Sequence, residues 1–241
     1  MKRLDDADDP RRRILVTALG LGLLGAGLPG APARAASLLG ERPGRLPPGQ
    51  SIYRMQGEVQ VNEAAAKPST IIRPGDTIQT GRNSELVFVV GNQAMIMRSE
   101  SQLRLEDARG PSPLSVLRLV TGKLLSVFGK TRHQVRTPVA TIGIRGTGLY
   151  VESEPDRSYV CTCYGETVIG TADDAAVSET VVSRHHDAAR YVLAGGGERL
   201  RPAPFVNHTD EELTLIEALV GRTPPFVLPG DSYSTPRRGD Y

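Results

Sequence analysis

The sequence has no tryptophan, only two cysteines and four phenylalanines, and almost no net charge. The balance of 29 basic against 27 acidic residues argues against nucleic-acid binding, because such proteins normally carry a concentrated basic face. The lack of tryptophan argues against carbohydrate binding, because sugar sites commonly use aromatic side chains, although seven tyrosines are present. The chain also lacks the motifs of zinc proteases, serine hydrolases and phosphate-binding loops, so we expect that it is not an enzyme.

Glycine and proline, in contrast, are plentiful, with 26 and 18 among 241 residues. This composition favours many short strands and turns over a bundle of helices. The length allows one domain of medium size with extensions, since domains usually have roughly 100–200 residues.

The N-terminal segment, residues 1–35, is typical of an export signal. Three arginines, Arg11 to Arg13, precede an apolar stretch over residues 14–28, and Ala33 and Ala35 offer the small residues that a signal peptidase recognises. We therefore expect cleavage before Ala36 and a periplasmic location. The arginine run resembles a twin-arginine signal, and the general secretory route is the alternative. The apolar stretch is shorter than the roughly 20 residues that span a bilayer, so no stable membrane span is expected after cleavage.

The remaining chain divides into four predicted parts. Residues 36–55 form a linker rich in proline and glycine, and residues 56–205 alternate short strands with turns, which predicts a β-sandwich or a β-solenoid. Within this region, residues 85–90 are predicted as a strand buried on both faces, and residues 114–120 and 123–128 are predicted as two strands. Residues 206–222 contain a C-terminal helix, and residues 223–241 form a proline-rich flexible tail. The predicted fold class is therefore mainly β with one amphipathic helix.

The helix is predicted from a capping box at its start. The Thr209 hydroxyl can accept from the backbone N–H three residues on, and Glu212 can reach back to the N-cap. Gly221 is a typical helix end. Between these two signals, apolar residues recur every three or four positions and so form one face of the helix. They are Leu213, Ile216, Leu219 and Val220.

Residues 139–151 form the most distinctive stretch of the chain. It is an apolar, β-branched run interrupted by Arg145, Gly146 and Thr147. Valine, isoleucine and threonine favour strands, and a glycine inside such a run marks a bulge or a close approach of another backbone. The stretch therefore predicts a bent central strand with Arg145 at the bend.

This stretch resembles the signature of FecR-domain proteins, the periplasmic domains of bacterial iron-uptake regulators and their relatives. Residues 74–81, 117–124 and 137–138 resemble further elements of that domain, and the resemblance covers residues 56–170. In the family's namesake, a cytoplasmic segment binds a sigma factor and one transmembrane helix follows it. No segment of this sequence resembles either of these parts.

The resemblance implies a stand-alone exported module that is not an enzyme. Such a module would bind a protein partner or serve as a scaffold, in envelope signalling or iron uptake. Arg145, Gly146 and Thr147 are then expected to be structural, with Arg145 tying the bend to a neighbouring carboxylate or carbonyl. The alternative is that Arg145 anchors an acidic or carbonyl-bearing partner through its planar fork of donors.

Two clusters of soft ligands suggest a second function, binding of a transition metal. Cys161 and Cys163 are two residues apart on a predicted strand and should face the same side, and His185 and His186 follow in a loop. Cysteine and histidine are ligands of zinc, copper and iron. The sequence therefore predicts these four residues as a candidate metal site. The alternatives are a strained disulfide between the two cysteines and a purely structural role.

Overall fold

Fourteen strands and one helix account for most of residues 42–107 and 114–228, which are the residues that the computed structural model describes. The strands are β1 (Ile52–Gln56), β2 (Val59–Val61), β3 (Ala64–Ala65), β4 (Thr77–Thr80), β5 (Glu85–Val90), β6 (Gln93–Met97), β7 (Gln102–Asp107), β8 (Leu114–Val127), β9 (Arg132–Arg136), β10 (Ala140–Ser153), β11 (Arg157–Thr171), β12 (Ser178–Ser183), β13 (Ala188–Leu193) and β14 (Leu200–Ala203). The helix α1 (Asp210–Leu219) follows. The prediction of a mainly β fold with one C-terminal helix is confirmed.

These strands form a single sheet. Its main order is β14-β13-β11-β10-β9-β8-β7-β4-β2-β3, with β12 beside β11 and with β1, β5 and β6 joined to it through β8. Neighbouring strands are antiparallel except for β8 and β9. Three strands, β8, β10 and β11, are 14 or 15 residues long and connect the branches of the sheet.

Strand β8 is continuous where the sequence predicted two strands, over residues 114–120 and 123–128. The residue between them, Gly122, has a φ of +89°, and a Cβ there would lie 2.5 Å from the Cα of Ser101. Before it, β8 pairs with β7 up to Thr121; from Gly122 onward it pairs with β10. The glycine therefore marks a change of neighbouring strand and not a turn.

Two hydrophobic cores lie on opposite faces of the central strands. Along β10, Leu149 and Val151 belong to the first core, whereas Tyr150 between them belongs to the second. Strand β5 shows the same alternation, with Leu86 in the first core and Val87 in the second. Side chains alternate between faces because the strand repeat is two residues. The prediction that β5 is buried on both faces is confirmed.

The second core lies between the sheet and α1. Leu213, Ile216 and Leu219 pack there against strand residues that include Ile96 and Leu125. Burying each of these side chains stabilises the helix by about 1.5–3 kcal/mol before ordering entropy is subtracted.

The predicted segments map unevenly onto this fold. Strand β1 lies largely within the predicted linker, where it pairs with β5. The predicted export signal and the last part of the predicted tail, residues 229–241, lie outside the described residues. Across the described ranges, no helix has the length and apolar character needed to cross a membrane.

Candidate metal centre

Strand β11 places both cysteines in the second core. Tyr159, Cys161 and Cys163 all belong to this core, while Val160 faces the first. Between the pairs Leu149–Thr162 and Gly148–Tyr164, β11 has one residue more than β10, and this extra residue is Cys163. Both thiols are free, fully buried and directed toward the α1 side of the sheet.

The loop after β12 supplies His186. Its backbone N–H donates to the Cys163 carbonyl at 2.9 Å, and its φ of +55° is unusual for a residue with a side chain. The loop is held by Asp187, whose carboxylate accepts from the Arg184 N–H at 2.8 Å. Strained backbone of this kind clusters at functional sites. Here it turns the His186 ring toward the cysteines.

The segment before α1 supplies the second histidine, His208. The residue directly precedes the N-cap, Thr209, and its ring stacks on Tyr150 with 4.5 Å between the ring centroids. Asn207, with a φ of +60°, fixes the turn because its side chain donates to Glu152 at 2.7 Å. As a result, His208 is buried at the edge of the second core.

Cys161, Cys163, His186 and His208 thus form a four-residue cluster. Their ligand atoms all lie within 4.8 Å of one another. The His208 Nε2 atom is 3.3 Å from the Cys163 sulfur and 3.1 Å from the His186 Nδ1 atom, which in turn is 3.7 Å from the Cys161 sulfur. A tetrahedral zinc site with Zn–N of about 2.0–2.1 Å and Zn–S of about 2.3 Å separates its ligand atoms by about 3.3–3.8 Å.

The outer nitrogens of both histidines already have acceptors. The His208 Nδ1 atom is 2.7 Å from the Val206 carbonyl oxygen, and the His186 Nε2 atom is 3.0 Å from the Asp210 carboxylate. Neither partner can donate, so each outer nitrogen carries the hydrogen. Each inner nitrogen then presents a lone pair to the other, 3.1 Å away. Two facing lone pairs repel unless a cation, either a proton or a metal ion, lies between them.

His185 does not belong to this cluster, although it was predicted from the sequence as one of the four metal ligands. Its side chain is 48% exposed, and its Nε2 atom is 2.7 Å from the carboxylate of Asp210, which is also the partner of His186. His185, His186 and Asp210 thereby form a second, outer group of ligand atoms. His208, one of only four histidines in the chain, was not among the ligands predicted from the sequence. That scarcity was the one signal that pointed to it.

Burial and the neighbouring groups shift the pKa values at this centre. A hydrogen bond from Cys163, together with His186 and His208, lowers the pKa of Cys161 against the effect of burial. Burial raises the pKa of Cys163. Burial alone would lower the pKa of His186, but its hydrogen bonds to Asp210 and Cys161 outweigh it and raise the pKa to about 9. The cluster therefore favours one thiolate and one imidazolium when only protons are bound.

The signature residues Arg145, Gly146 and Thr147 lie on a different part of the sheet. They form a bulge in β10, between the pairs Arg145–Glu166 and Gly148–Tyr164. Gly146 has a φ of +62°, and Thr147 is fully buried. Arg145 is exposed, as is Glu166 opposite it. The predicted bend is thus a β-bulge, which twists a strand locally.

The fold and these sites define a mainly β domain with a buried Cys/His cluster, and comparison with known families gives it a class. Residues 76–166 match the FecR protein family. This segment of the chain is therefore similar to the FecR domain. The matched segment includes the signature and both cysteines, whereas His186 and His208 follow it in the sequence.

Solved structures show a more distant similarity. Two crystal structures of a candidate anti-sigma factor from Parabacteroides distasonis ATCC 8503, at 1.65 and 2.50 Å resolution, align with a TM-score of 0.44 and identities of 11% and 12%. Each alignment covers 53% of this chain and 58% of the other, so this chain spans little more than half of these neighbours. No curated protein sequence gives a match.

Proposed function

We propose that this chain is a non-enzymatic FecR-domain module that binds one transition-metal ion, with Zn²⁺ as the best fit. The FecR match supports a role in cell-envelope signalling, and the metal centre adds a specific function to it. The observation that carries the proposal is the pair of inward-facing imidazole nitrogens, 3.1 Å apart, which need a cation between them and lie beside two buried sulfurs.

The choice of Zn²⁺ follows from the ligand set. Two cysteines and two histidines in a tetrahedral arrangement are typical of structural zinc sites, in which all four positions are filled by the protein. Such a closed site leaves no position for a substrate. The centre therefore fits a structural or metal-sensing role better than a catalytic one.

The surroundings of the two histidines also fit a metal site. Ligating histidines usually donate their outer N–H to a carboxylate or a backbone carbonyl, which fixes the ring orientation. His186 has Asp210 in this role, and His208 has the Val206 carbonyl. The aromatic rings of Tyr150 and Phe205 lie against His208 and limit the access of water.

The test compares His208→Ala with His185→Ala in the metal-free chain. Loss of an outer partner of a ligand typically weakens binding by 10–100-fold, so we expect loss of the ligand His208 to weaken Zn²⁺ binding by more than about 100-fold. His185→Ala should change the affinity far less, because its ring contacts Asp210 and not the sulfurs. Competition with a chromophoric chelator measures both affinities.

Substitution of Co²⁺ for Zn²⁺ identifies the ligands directly. Thiolate-to-cobalt charge-transfer bands and intense d–d bands are expected for the original chain and should disappear when Cys161 and Cys163 are both replaced by serine. Loss of affinity in His185→Ala but not in His208→Ala, without thiolate bands, would place the metal at the outer group around Asp210. Absence of stoichiometric binding in the original chain would refute the proposal.

We also propose that the chain is exported to the periplasm and acts on a protein partner there. The support for export is the sequence of residues 1–35, with its arginine run and its small residues before Ala36. The support for a partner is the FecR match, since that family implies protein signalling.

A further inference from the structure

A shallow cavity lies on the outer face of the sheet beside the FecR signature, and the metal centre makes no use of it. It has a volume of about 290 Å³ and spans strands β9, β10 and β11. Its lining includes Arg132, Gly143, Arg145, Glu166 and Val168. A space of this size accommodates one or two side chains and is too small for a whole helix.

The three signature residues, Arg145, Gly146 and Thr147, have different contacts. The Gly146 N–H donates to the Gly129 carbonyl at 3.1 Å, and the Thr147 hydroxyl donates to the Glu166 carbonyl at 3.0 Å. Together with the positive φ of Gly146, these bonds hold the bulge. The Arg145 side chain forms no hydrogen bond or ion pair with any residue of the described ranges. Arg145 is therefore exposed to solvent, and its side chain does not help to hold the bulge.

A second arginine lies directly opposite. Arg132 on β9 is the cross-strand partner of Arg145, and both side chains are exposed. Like charges in such a pair repel each other. Among the described residues, no carboxylate lies within ion-pair distance of either guanidinium group, although Glu166 faces Arg145 from β11. An added anion between the two guanidinium groups removes this repulsion.

The cavity lining also includes uncharged residues, among them Gly143 and Val168. Gly143 has no side chain and lies between Gln134 on β9 and Val168 on β11 in the cross-strand register. Val168 is 45% exposed, and Val182 on the neighbouring strand β12 is 68% exposed. The cavity therefore offers cationic groups at one end and aliphatic surface beside them.

We propose that Arg132 and Arg145 bind a carboxylate side chain from an acidic, extended segment of a protein partner. The guanidinium fork matches a carboxylate through two parallel hydrogen bonds. An apolar residue next to the acidic one in the partner would contact Val168 and Val182. This site is independent of the metal centre, so either proposal can fail without affecting the other.

The experiment measures binding of a fluorescein-labelled peptide of alternating glutamate and valine to the full chain by fluorescence anisotropy. A peptide with glutamine in place of glutamate is the neutral control. We expect Arg145→Gln and Arg132→Gln each to weaken binding by about tenfold or more, because each removes a charge-assisted hydrogen bond. Arg145→Lys should recover only part of the affinity, since lysine keeps the charge but lacks the fork.

The matched control is Arg104→Gln. Arg104 is also exposed and also faces an arginine, Arg118, across a strand pair, but it does not line the cavity. We expect this variant to bind the acidic peptide like the original chain. An equal loss in Arg104→Gln would show attraction by net charge alone, and unchanged binding in Arg145→Gln would overturn the proposal. Circular dichroism of each variant verifies that the fold is retained.

Discussion

At the scale of single residues, the two ring nitrogens of His186 contact different partners on opposite sides of the ring. Nδ1 faces Cys161 and His208, and Nε2 faces Asp210. The pKa of about 9 lies above the ordinary value of 6.5, so the charged form is favoured in the folded state. This contribution to stability is fully present below a pH of about 6.5 and is lost as the pH rises through about 9.

Metal binding must displace the protons that this centre holds. Near neutral pH the raised pKa values of Cys163 and His186 keep both groups protonated, while the lowered pKa of Cys161 leaves a thiolate. We therefore expect Zn²⁺ binding at pH 7 to release about two protons, because ligands coordinate only in their deprotonated forms. Isothermal titration calorimetry in two buffers of different ionisation enthalpy measures this number.

The double variant Cys161→Ser with Cys163→Ser is the reference for that titration and should show no tight binding. Release of no protons by the original chain would contradict the assignment of the imidazolium and thiol states. Release of about two protons would show that protons and the metal compete for the same ligands.

At the scale of elements, the N-terminal end of α1 lies next to the candidate metal centre. Its N-cap, Thr209, lies between His208 and Asp210, and the capping box with Glu212 is complete. Glu212 is also held by an ion pair with Arg98 at 3.0 Å, with both side chains largely buried. The predicted capping box is confirmed. It holds the start of the helix, where His208 and Asp210 of the candidate site flank Thr209.

Replacing Thr209 with alanine tests this link. Loss of the cap should lower the free energy of unfolding by about 1 kcal/mol, within a range of about 0.5–2 kcal/mol. Urea unfolding of the metal-free chain measures the change. Thr209→Ser keeps the hydroxyl and should lie close to the original chain, and an alanine variant of unchanged stability would show that packing alone holds the helix start.

At the scale of the whole molecule, the proposed export would set the redox conditions that the two cysteines meet. Disulfides form readily in the periplasm, and a bound metal would protect the two thiols from oxidation. The twin-arginine route carries folded proteins and so allows a metal to be inserted first. Burial of both cysteines in the second core fits this order of events.

The prediction for export concerns both the location and the mass of the chain. Cell fractionation should find it in the periplasm, and mass spectrometry should show a chain beginning at Ala36. Replacing Arg11, Arg12 and Arg13 with lysine should retain the uncleaved chain in the cytoplasm, whereas Arg3→Lys should not. Continued export of the triple variant would indicate the general secretory route, and an uncleaved original chain would contradict export.

Local patterns in the sequence were enough to predict the class of fold and several of its parts. The capping box at Thr209, the double-sided burial of β5 and the common direction of Cys161 and Cys163 all depend on residues a few positions apart. Such short-range regularities follow from the helix and strand repeats alone. They do not show which strands become neighbours, which is why the break predicted near Gly122 is instead a change of partner within β8.

Only the tertiary structure decided which histidines meet the cysteines. His208 lies 45 residues from Cys163 in sequence and 22 from His186, and it reaches them because α1 docks on the second core. His185 is adjacent to His186 but turns toward solvent and Asp210. The sequence determined which residue types were available for a metal centre. The packing of α1 against the sheet determined which of them could surround one point, because that geometry depends on contacts between distant segments.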